Sequence, residues 1–218
     1  MRSQDWLRRQ AKDPFVRQAR QDGFRSRATY KLAELDQRCR LFRPGMQVLD
    51  LGAAPGGFSQ YAAQRVIPGG RVWAVDLLPM APITGVELLQ ADLATEDGLA
   101  AVMAWVGQGG IHALISDMAP GLSGDAARDQ AAWLAMAEGA VTLARHILLP
   151  GGVFLVKAFA GSELKTFETM MREPCPTIQR IKPKASRSES RELYLVGWRA
   201  GDSGARNRKA QKQSMINE

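Results

Sequence analysis

The sequence predicts an α/β fold in which a mostly parallel sheet of seven strands is covered by helices on both faces. Short apolar runs alternate with longer amphipathic segments, which is typical of β-α-β units and a parallel sheet. Most of the apolar runs end at a glycine or an acid, as buried strands do before a turn. The last two runs have no helical pattern between them, so we expect the last strand to be antiparallel.

Each predicted strand is a short apolar run with β-branched residues, bounded by turn residues. The first, MQVLDLG, leads into a glycine turn, and the fourth, HALISDMAP, ends at an acid and a proline. The seven predicted strands are, in chain order, residues 46–52, 71–77, 86–93, 112–120, 152–159, 177–183 and 192–199.

The predicted helices have amphipathic patterns and recognisable ends. Thr95 is a candidate N-cap with acids in the turn that follows it, and Ser162 is expected to cap the last helix. The segment Pro150-Gly151-Gly152 is expected to end the longest helix. The five predicted helices are residues 26–39, 58–66, 95–105, 126–149 and 162–172.

Charge divides the chain into three regions. Residues 1–43 carry a net charge of +7, residues 44–179 carry −6, and residues 180–218 carry +6. Basic ends around an acidic middle favour docking of a polyanion, so we predict nucleic-acid binding rather than a purely solubilising role. The predicted division is a basic N-terminal segment (1–22), one globular domain (23–200) and a disordered basic tail (201–218).

Other features of the composition exclude several classes of protein. No run of 18 apolar residues is present, so no membrane span is expected. The charged N-terminus lacks the apolar core of a secretory signal. Cys39 and Cys175 are isolated, which predicts reduced thiols and no metal site. We therefore expect a cytoplasmic protein, with a monomer as the default state.

The stretch VLDLGAAPGGFSQYA, residues 48–62, places a glycine-rich turn between the first strand and the helix after it. A phosphate loop would need a lysine after the last glycine, but Phe58 follows Gly57. A dinucleotide-binding turn would need GxGxxG, which is absent, although Asp76 stands where a ribose-binding acid belongs. The third candidate is S-adenosylmethionine, which has no phosphate and needs no anion-binding turn.

Four acids that follow successive strands favour this third candidate. Because ligands bind beyond the C-terminal ends of parallel strands, we expect the four to surround one site. Asp76 suits the ribose of the cofactor, Asp92 its adenine amine, and Asp117 its methionine amine or sulfonium. Such acids also occur as caps and turn residues. With Asp50 they nevertheless make four in succession, which favours a cation and would repel a pyrophosphate.

A resemblance to a known family rests on six segments, in the order LDLGAAPGGFSQ, AVDL, ADL, SDMAP, VKAF and SRELYLV. Between Gly23 and Arg199 the chain resembles the FtsJ-like (RlmE-type) ribosomal RNA large subunit 2′-O-ribose methyltransferases. The resemblance implies a Rossmann-like methyltransferase fold and S-adenosylmethionine as methyl donor. It also implies 2′-O-methylation of one uridine ribose in large-subunit (23S) ribosomal RNA, late in subunit assembly and within the assembled or assembling large subunit.

The resemblance also implies roles for particular residues. The family's catalytic tetrad of Lys-Asp-Lys-Glu falls on Lys31, Asp117, Lys157 and Glu192. Its cofactor-binding positions fall on Gly56, Phe58, Asp76, Asp92 and Asp117. Three places depart from the family pattern: Phe58 stands where tryptophan is more frequent, Thr29-Tyr30 replaces a Trp-Phe type pair, and Gly121 stands where asparagine usually follows SDMAP.

Lys157 is the predicted proton acceptor. A ribose hydroxyl is a poor nucleophile at neutral pH, so a base must take its proton as the methyl group moves in line from sulfur to oxygen. Lys157 lies in the apolar run FLVKAF, where an unpaired ammonium is costly. Burial and the cation Lys31 would favour the neutral amine, while Asp117 would orient it and steady the ammonium. Glu192 is expected to hold Lys31 or the ribose.

Basic and aromatic residues from both ends of the chain are candidates for RNA contacts. Phe24 and Tyr30 are interleaved with cations and suit stacking on a splayed base. The candidates for phosphate contacts are Arg17, Arg20, Arg25, Arg27, Arg38, Lys182, Lys184, Arg187 and Arg191.

Alternative functions stay open from the residues alone. A related 2′-O-methyltransferase could act on transfer RNA or an mRNA cap. A non-catalytic RNA-binding assembly factor could have the same fold, although the presence of both Lys157 and Asp117 favours an enzyme. A nicotinamide-dependent reductase is disfavoured by the glycine spacing.

Overall fold

The computed structural model describes residues 13–121, 123–186 and 190–201, and these form a single seven-stranded sheet. Its strands are β1 (Gln47–Leu51), β2 (Arg71–Asp76), β3 (Val86–Gln90), β4 (Ile111–Ser116), β5 (Leu148–Phe159), β6 (Thr177–Ile181) and β7 (Glu192–Trp198). They lie in the order β3-β2-β1-β4-β5-β7-β6. Strands β1 to β5 pair in parallel, whereas β7 is antiparallel to both β5 and β6. The predicted fold class is confirmed, including the antiparallel last strand.

Some strand ends differ from the predicted bounds. Strands β3 and β4 end earlier than predicted, so Asp92 and Asp117 lie in loops just beyond their strands. Strand β5 begins at Leu148, and Pro150-Gly151-Gly152 lies inside it, so the prediction that this segment ends a helix was wrong. The Gly152 carbonyl accepts a hydrogen bond from the Arg199 N–H at 2.9 Å, which holds the segment against the end of β7.

The described helices are α1 (Pro14–Gln21), α2 (Ala28–Cys39), α3 (Gly57–Val66), α4 (Glu96–Val106), α5 (Ala126–Ile147) and α6 (Leu164–Met171). Thr95 caps α4 as predicted, because its hydroxyl accepts a hydrogen bond from the Gly98 N–H at 3.1 Å. The prediction for Ser162 was wrong, since Glu163 occupies the N-cap of α6 and no side chain caps that helix. Among the described residues, no helix combines the length and apolarity needed to cross a membrane.

Helix α1 was not predicted, because its mostly polar residues were assigned to the basic N-terminal segment. Its start is well defined: the Asp13 carboxylate accepts a hydrogen bond from the Phe15 N–H at 3.0 Å, and Pro14 occupies the first turn. An ion pair joins Asp13 to Arg27, just before α2. The boundary after residue 22 stays a prediction, and the predicted disordered tail falls almost entirely on residues 202–218, which lie outside the described residues.

Helices cover both faces of the sheet. On one face α4, α5 and α6 bury a cluster that includes Val102, Trp133 and Phe167. On the other face α2 and α3 bury a second cluster that includes Leu32 and Phe58. Burial of this apolar surface is the main favourable term in folding. It fixes the sheet between two helical layers, and the acids lie at the C-terminal ends of β1, β2 and β4.

Trp133 joins α5 to β5 at Lys157, the predicted base. Its indole N–H donates a buried hydrogen bond to the Lys157 carbonyl at 3.1 Å. We expect Trp133→Phe to lower the free energy of unfolding by about 1 kcal/mol more than Trp73→Phe does. Trp73 is the matched control, because its indole nitrogen is buried without a hydrogen-bond partner among the described residues. Urea unfolding followed by circular dichroism measures both variants, and equal losses would contradict a stabilising role for this hydrogen bond.

Candidate active site

The glycine turn that follows β1 brings its backbone close to Met118, in the loop that follows β4. Gly52 has a φ of +69° and Gly56 a φ of +107°, a region that favours glycine. A Cβ at Gly52 would lie 2.1 Å from the Met118 side chain, and a Cβ at Gly56 would lie 2.4 Å from Ile83. The positive φ therefore favours glycine at both positions, and at Gly52 the close approach of Met118 leaves little space for a side chain.

Asp76 joins the end of β2 to this turn. Its two carboxylate oxygens accept hydrogen bonds from the N–H groups of Ala54 and Leu78, each at 2.8 Å. Each oxygen has a second lone pair that a ligand can use. Asp92 is exposed, and its Oδ1 accepts a hydrogen bond from the Ala94 N–H at 2.9 Å just before α4. Both acids therefore have turn roles in addition to the binding roles predicted for them.

Asp50 is a fully buried carboxyl group at the centre of the site. The Ser59 hydroxyl donates to its Oδ2 at 2.6 Å, while its Oδ1 has no partner among the described residues. Burial raises the pKa of Asp50 to about 8; the Ser59 hydrogen bond opposes this, and the charges of Asp117 and Asp76 add to it. The group is therefore mostly protonated at neutral pH, and a nearby cation would favour its ionised form.

The buried Lys157 and the partly exposed Asp117 form an ion pair at the neighbouring ends of β5 and β4. Lys157 is only 7% exposed. Its Nζ lies 3.1 Å from Asp117 Oδ1 and also donates to the Asp117 carbonyl. A lysine inside a sheet is tolerated when it is paired and hydrogen-bonded in this way. The amine is held at the same edge as the glycine turn, because β4 lies between β5 and β1.

Lys31 and Glu192 form a second ion pair beside the first. Lys31 Nζ donates to Glu192 Oε1 at 2.6 Å, and the Ser186 hydroxyl donates to the same oxygen at 2.9 Å. Both charged side chains are nearly nine-tenths buried. Lys31 is held there by α2, whose Thr29 hydroxyl donates to the Gly57 carbonyl at 3.1 Å. Glu192 was predicted to hold Lys31 or the ribose, and in this structure it holds Lys31.

Tyr194 connects the two ion pairs, and the sequence analysis gave it no role. Its hydroxyl donates to Asp117 Oδ1 at 2.5 Å, and its ring lies beneath Lys31, whose Nζ is 5.9 Å from the ring centroid. Tyr194 also pairs with Lys157 in the register of β5 and β7. Period-two alternation along β7 puts it on the same face as Glu192, and that spacing could have identified it.

Arg25, a predicted phosphate contact, is engaged inside the protein. Its guanidinium donates to the carbonyls of Ala81 at 2.7 Å and Pro82 at 2.5 Å, and more weakly to Pro55 at 3.4 Å. These bonds hold the loop between β2 and β3 against the glycine turn. The structure therefore gives Arg25 a clamping role, while its contact with phosphate stays a prediction.

Described residues from the two basic regions of the chain meet beside the ion pairs. Arg27 donates to the Ala185 carbonyl, and the Lys184 N–H donates to Glu34 on α2 at 2.7 Å. Of the predicted phosphate contacts, Arg27 and Arg38 are engaged in ion pairs, and Arg187 lies outside the described residues. The exposed members are Arg17, Arg20, Arg38, Lys182, Lys184 and Arg191.

The predicted stacking residues contact each other. The rings of Phe24 and Tyr30 meet edge to face at 6.1 Å, and Phe15 lies 5.8 Å from Tyr30. The Tyr30 hydroxyl donates to Asp22 at 2.5 Å. Both predicted residues are partly exposed, so stacking on a base stays a prediction.

The acids of this site fit a cationic ligand such as S-adenosylmethionine. Asp50, Asp76 and Asp117 are close enough for their charges to interact. Asp50 Oδ1 is a buried acceptor without a partner among the described residues. A positive ligand nearby would stabilise the ionised carboxylate of Asp50. Within the part of the chain that the structure describes, no group of three or more His, Cys, Asp or Glu residues could hold a metal ion.

The raised pKa of Asp50 predicts a pH dependence of stability. The native carboxyl titrates near 8 and the ordinary value is 3.8, so between these values the native state binds more protons than the unfolded chain. This contribution is complete below about pH 4 and is lost as pH rises through about 8. Asp50→Asn should therefore gain stability relative to the natural chain between about pH 5 and pH 8. Urea unfolding of both proteins without cofactor tests this, and a pH-independent difference would exclude the assigned protonation.

Comparison with known proteins supports the family that the sequence resembles. A family model described as FtsJ-like methyltransferase matches residues 24–200. Ribosomal RNA large subunit methyltransferase E of Azoarcus sp. (strain BH72) is 46% identical over 195 residues, which cover 89% of this chain and 95% of that protein. The protein of the same name from Pseudomonas fluorescens (strain Pf0-1) is 44% identical over 193 residues, covering 88% and 92%.

Solved structures show the same fold. The crystal structure of a Plasmodium falciparum protein described as a ribosomal RNA methyltransferase superposes with a TM-score of 0.71 at 24% identity. The superposition covers 81% of this chain and 98% of that one. The family match, the relatives and the architecture agree with the resemblance seen in the sequence. The chain belongs to the FtsJ-like methyltransferase family.

Proposed function

We propose that this chain transfers a methyl group from S-adenosylmethionine to the 2′-hydroxyl of a uridine ribose in large-subunit (23S) ribosomal RNA. Family membership and the names of the relatives support both the cofactor and the RNA substrate. The observation that carries the chemistry is the buried Lys157 amine beside Asp117, at the edge where the strands end. We further propose that the substrate is the assembled or assembling large subunit, late in its assembly.

The cofactor is assigned to the space beside the glycine turn. The first turn of α3 includes Phe58 and follows the N-cap Gly56, and it presents a positive helix end to the methionine carboxylate. The Gly56 N–H itself donates to the Ala53 carbonyl at 2.6 Å, so Gly56 is assigned to close approach of the cofactor to the backbone. Asp76 is assigned to the ribose, Asp92 to the adenine amine and Asp117 to the methionine amine or sulfonium. When bound, the cofactor supplies an electrophilic methyl group.

Lys157 is assigned as the proton acceptor. As the 2′-oxygen gains the methyl group, its proton passes to Lys157 Nζ, and Asp117 steadies the resulting ammonium. Only the neutral amine can accept the proton, and burial disfavours the charged form of a lysine. A positioned base contributes about 10²–10⁴-fold, and alignment of the hydroxyl with the methyl group contributes at least as much.

Lys31 and Glu192 are assigned to positioning the ribose. Glu192 holds the Lys31 ammonium in one place, and Ser186 fixes the carboxylate from the other side. An ammonium held in this way can donate hydrogen bonds to ribose oxygens near the reacting hydroxyl. The pair lies where α2, β7 and the loop before β7 converge, so RNA that docks on the basic ends would reach it directly.

RNA docking is assigned to the exposed cations around that convergence. Contacts of lysine and arginine with phosphate release counterions, which makes the affinity fall with salt. The target nucleotide must be splayed out for its ribose to reach the buried amine. All of the assigned catalytic groups come from a single chain, so we propose that the protein acts as a monomer. A ribosomal substrate would place it in the cytoplasm.

Two substitutions separate cofactor binding from chemistry. Lys157→Ala should abolish methyl transfer and leave the affinity for S-adenosylmethionine unchanged, because the amine accepts the proton of the ribose hydroxyl and is not assigned to the cofactor. Asp76→Ala should weaken cofactor binding at least about tenfold, since a hydrogen-bonded carboxylate is lost. The assays are isothermal titration and tritiated-methyl transfer to ribosomal subunits from cells that lack this protein, followed by mapping of the labelled nucleotide.

The matched control for these variants is Lys165→Ala, which removes an exposed lysine from α6. It should behave like the natural chain in both assays. Retained turnover by Lys157→Ala would remove the assigned base, and unchanged affinity in Asp76→Ala would remove the assigned cofactor site. Labelling of a transfer RNA instead of the subunit would favour the alternative substrate.

The docking surface predicts a steep salt dependence. We expect the double variant Lys184→Ala, Arg191→Ala to bind large-subunit RNA more weakly at low salt. The slope of log affinity against log salt should decrease by about 1 for each phosphate contact removed. Filter binding at several salt concentrations measures the slope, with Lys165→Ala as the control. A slope equal to that of the natural chain would mean that the RNA docks elsewhere.

A further inference from the structure

We propose that Tyr194 is a positioning residue for the base: its hydroxyl shares Asp117 Oδ1 with Lys157 and so limits how strongly that carboxylate holds the lysine ammonium. This inference rests on the proposed function, because it concerns the proton acceptor of that reaction. Tyr194 does not touch the reacting atoms in this assignment and transfers no proton itself.

The contacts of one oxygen carry the inference. Asp117 Oδ1 accepts the Tyr194 hydroxyl at 2.5 Å and faces Lys157 Nζ at 3.1 Å. Two donors that share an oxygen compete for its negative charge, and a short O–H···O⁻ bond is the stronger of the two. Lys157 therefore pairs with a carboxylate whose charge is already partly satisfied.

The sheet fixes the phenol in this place. Tyr194 is fully buried and lies opposite Lys157 in the antiparallel pairing of β5 and β7. Its ring also packs against Phe58, with centroids 6.4 Å apart. Backbone pairing and core packing thus place the hydroxyl beside Asp117 in the free protein.

The charged groups around the phenol keep it a donor. Burial raises the pKa of Tyr194 well above its ordinary value, and the negative charges of Asp117 and Glu192 act in the same direction. Arg27 opposes these effects. Among the described residues, further charged groups near the ion pair are Lys31, beneath which the ring lies, and Asp50 and Asp76, which interact with Asp117. The phenol therefore stays protonated across the working pH range.

Loss of the hydroxyl should change the acid limb of the pH profile. Without Tyr194 the whole charge of Asp117 Oδ1 acts on Lys157, which favours the ammonium and reduces the fraction of amine able to accept a proton. Tyr194→Phe keeps the ring that packs on Phe58 and lies beneath Lys31. We expect its kcat near neutral pH to fall by about tenfold. The loss should shrink as pH rises, and KM for the subunit should stay unchanged.

The experiment measures kcat and KM for methyl transfer to ribosomal subunits across pH, with S-adenosylmethionine saturating. The matched control is Tyr61→Phe, which removes a hydroxyl of α3 that donates to Asp36 of α2 at 3.0 Å. Its pH profile should coincide with that of the natural chain. Activity of the natural chain itself decides the proposed function, so failure of that proposal is seen before any variant is compared.

Two results would overturn the inference. One is a Tyr194→Phe profile that coincides with the natural one, and the other is a loss of kcat that is the same at every pH. If Tyr194→Phe does not fold, all three tyrosines can be replaced biosynthetically by 3-fluorotyrosine. Its more acidic hydroxyl donates more strongly to Asp117, so the acid limb should move to lower pH. Movement to higher pH, or none, would count against the role of Tyr194.

Discussion

Burial of the Lys157 amine beside the Asp117 carboxylate is the interaction on which the rest of the site depends. Taking two charges out of water is expensive, and their attraction offsets that cost only when further hydrogen bonds satisfy both groups. The structure supplies two such bonds, because the Asp117 carbonyl accepts from the amine and Tyr194 donates to the carboxylate. Trp133 in addition fixes the Lys157 backbone through its carbonyl. The sheet order β1-β4-β5-β7 places all of these groups at one edge.

The same edge concentrates negative charge, and this explains why the site suits a positively charged donor. Burial keeps Asp50 largely protonated in the free protein, and the negative charges of Asp117 and Asp76 act in the same direction. A bound cation would reverse that preference, so cofactor binding and loss of a proton from Asp50 are linked. The glycine turn permits this close approach, because its backbone can adopt positive φ and has no Cβ to fill the space.

Sequence patterns predicted the parts of this molecule that depend on regular periodicity. Apolar runs predicted all seven strands, and three of the four strand-end acids, Asp50, Asp76 and Asp117, lie close enough for their charges to interact, because parallel strands point the same way. Local sequence predicted less well where tertiary contacts decide the outcome. Pro150-Gly151-Gly152 looked like a helix terminator but lies in β5, where Gly152 pairs with Arg199, and the hydrogen bonds of Arg25 to the carbonyls of Ala81 and Pro82 were not predicted. Alternation along β7 puts Tyr194 on the face of Glu192, but its hydrogen bond to Asp117, 77 residues away in the chain, depends on tertiary structure.

The most direct test of the central claim is chemical rescue of Lys157→Ala by small primary amines in single-turnover methyl transfer. If the Lys157 amine accepts the hydroxyl proton, added alkylamines should restore part of the rate in proportion to their free-base concentration. The rescued rate should also rise with amine basicity, as general-base catalysis requires. Rescue that is absent, or that does not depend on basicity while cofactor and RNA still bind, would contradict the assignment of Lys157 as the base.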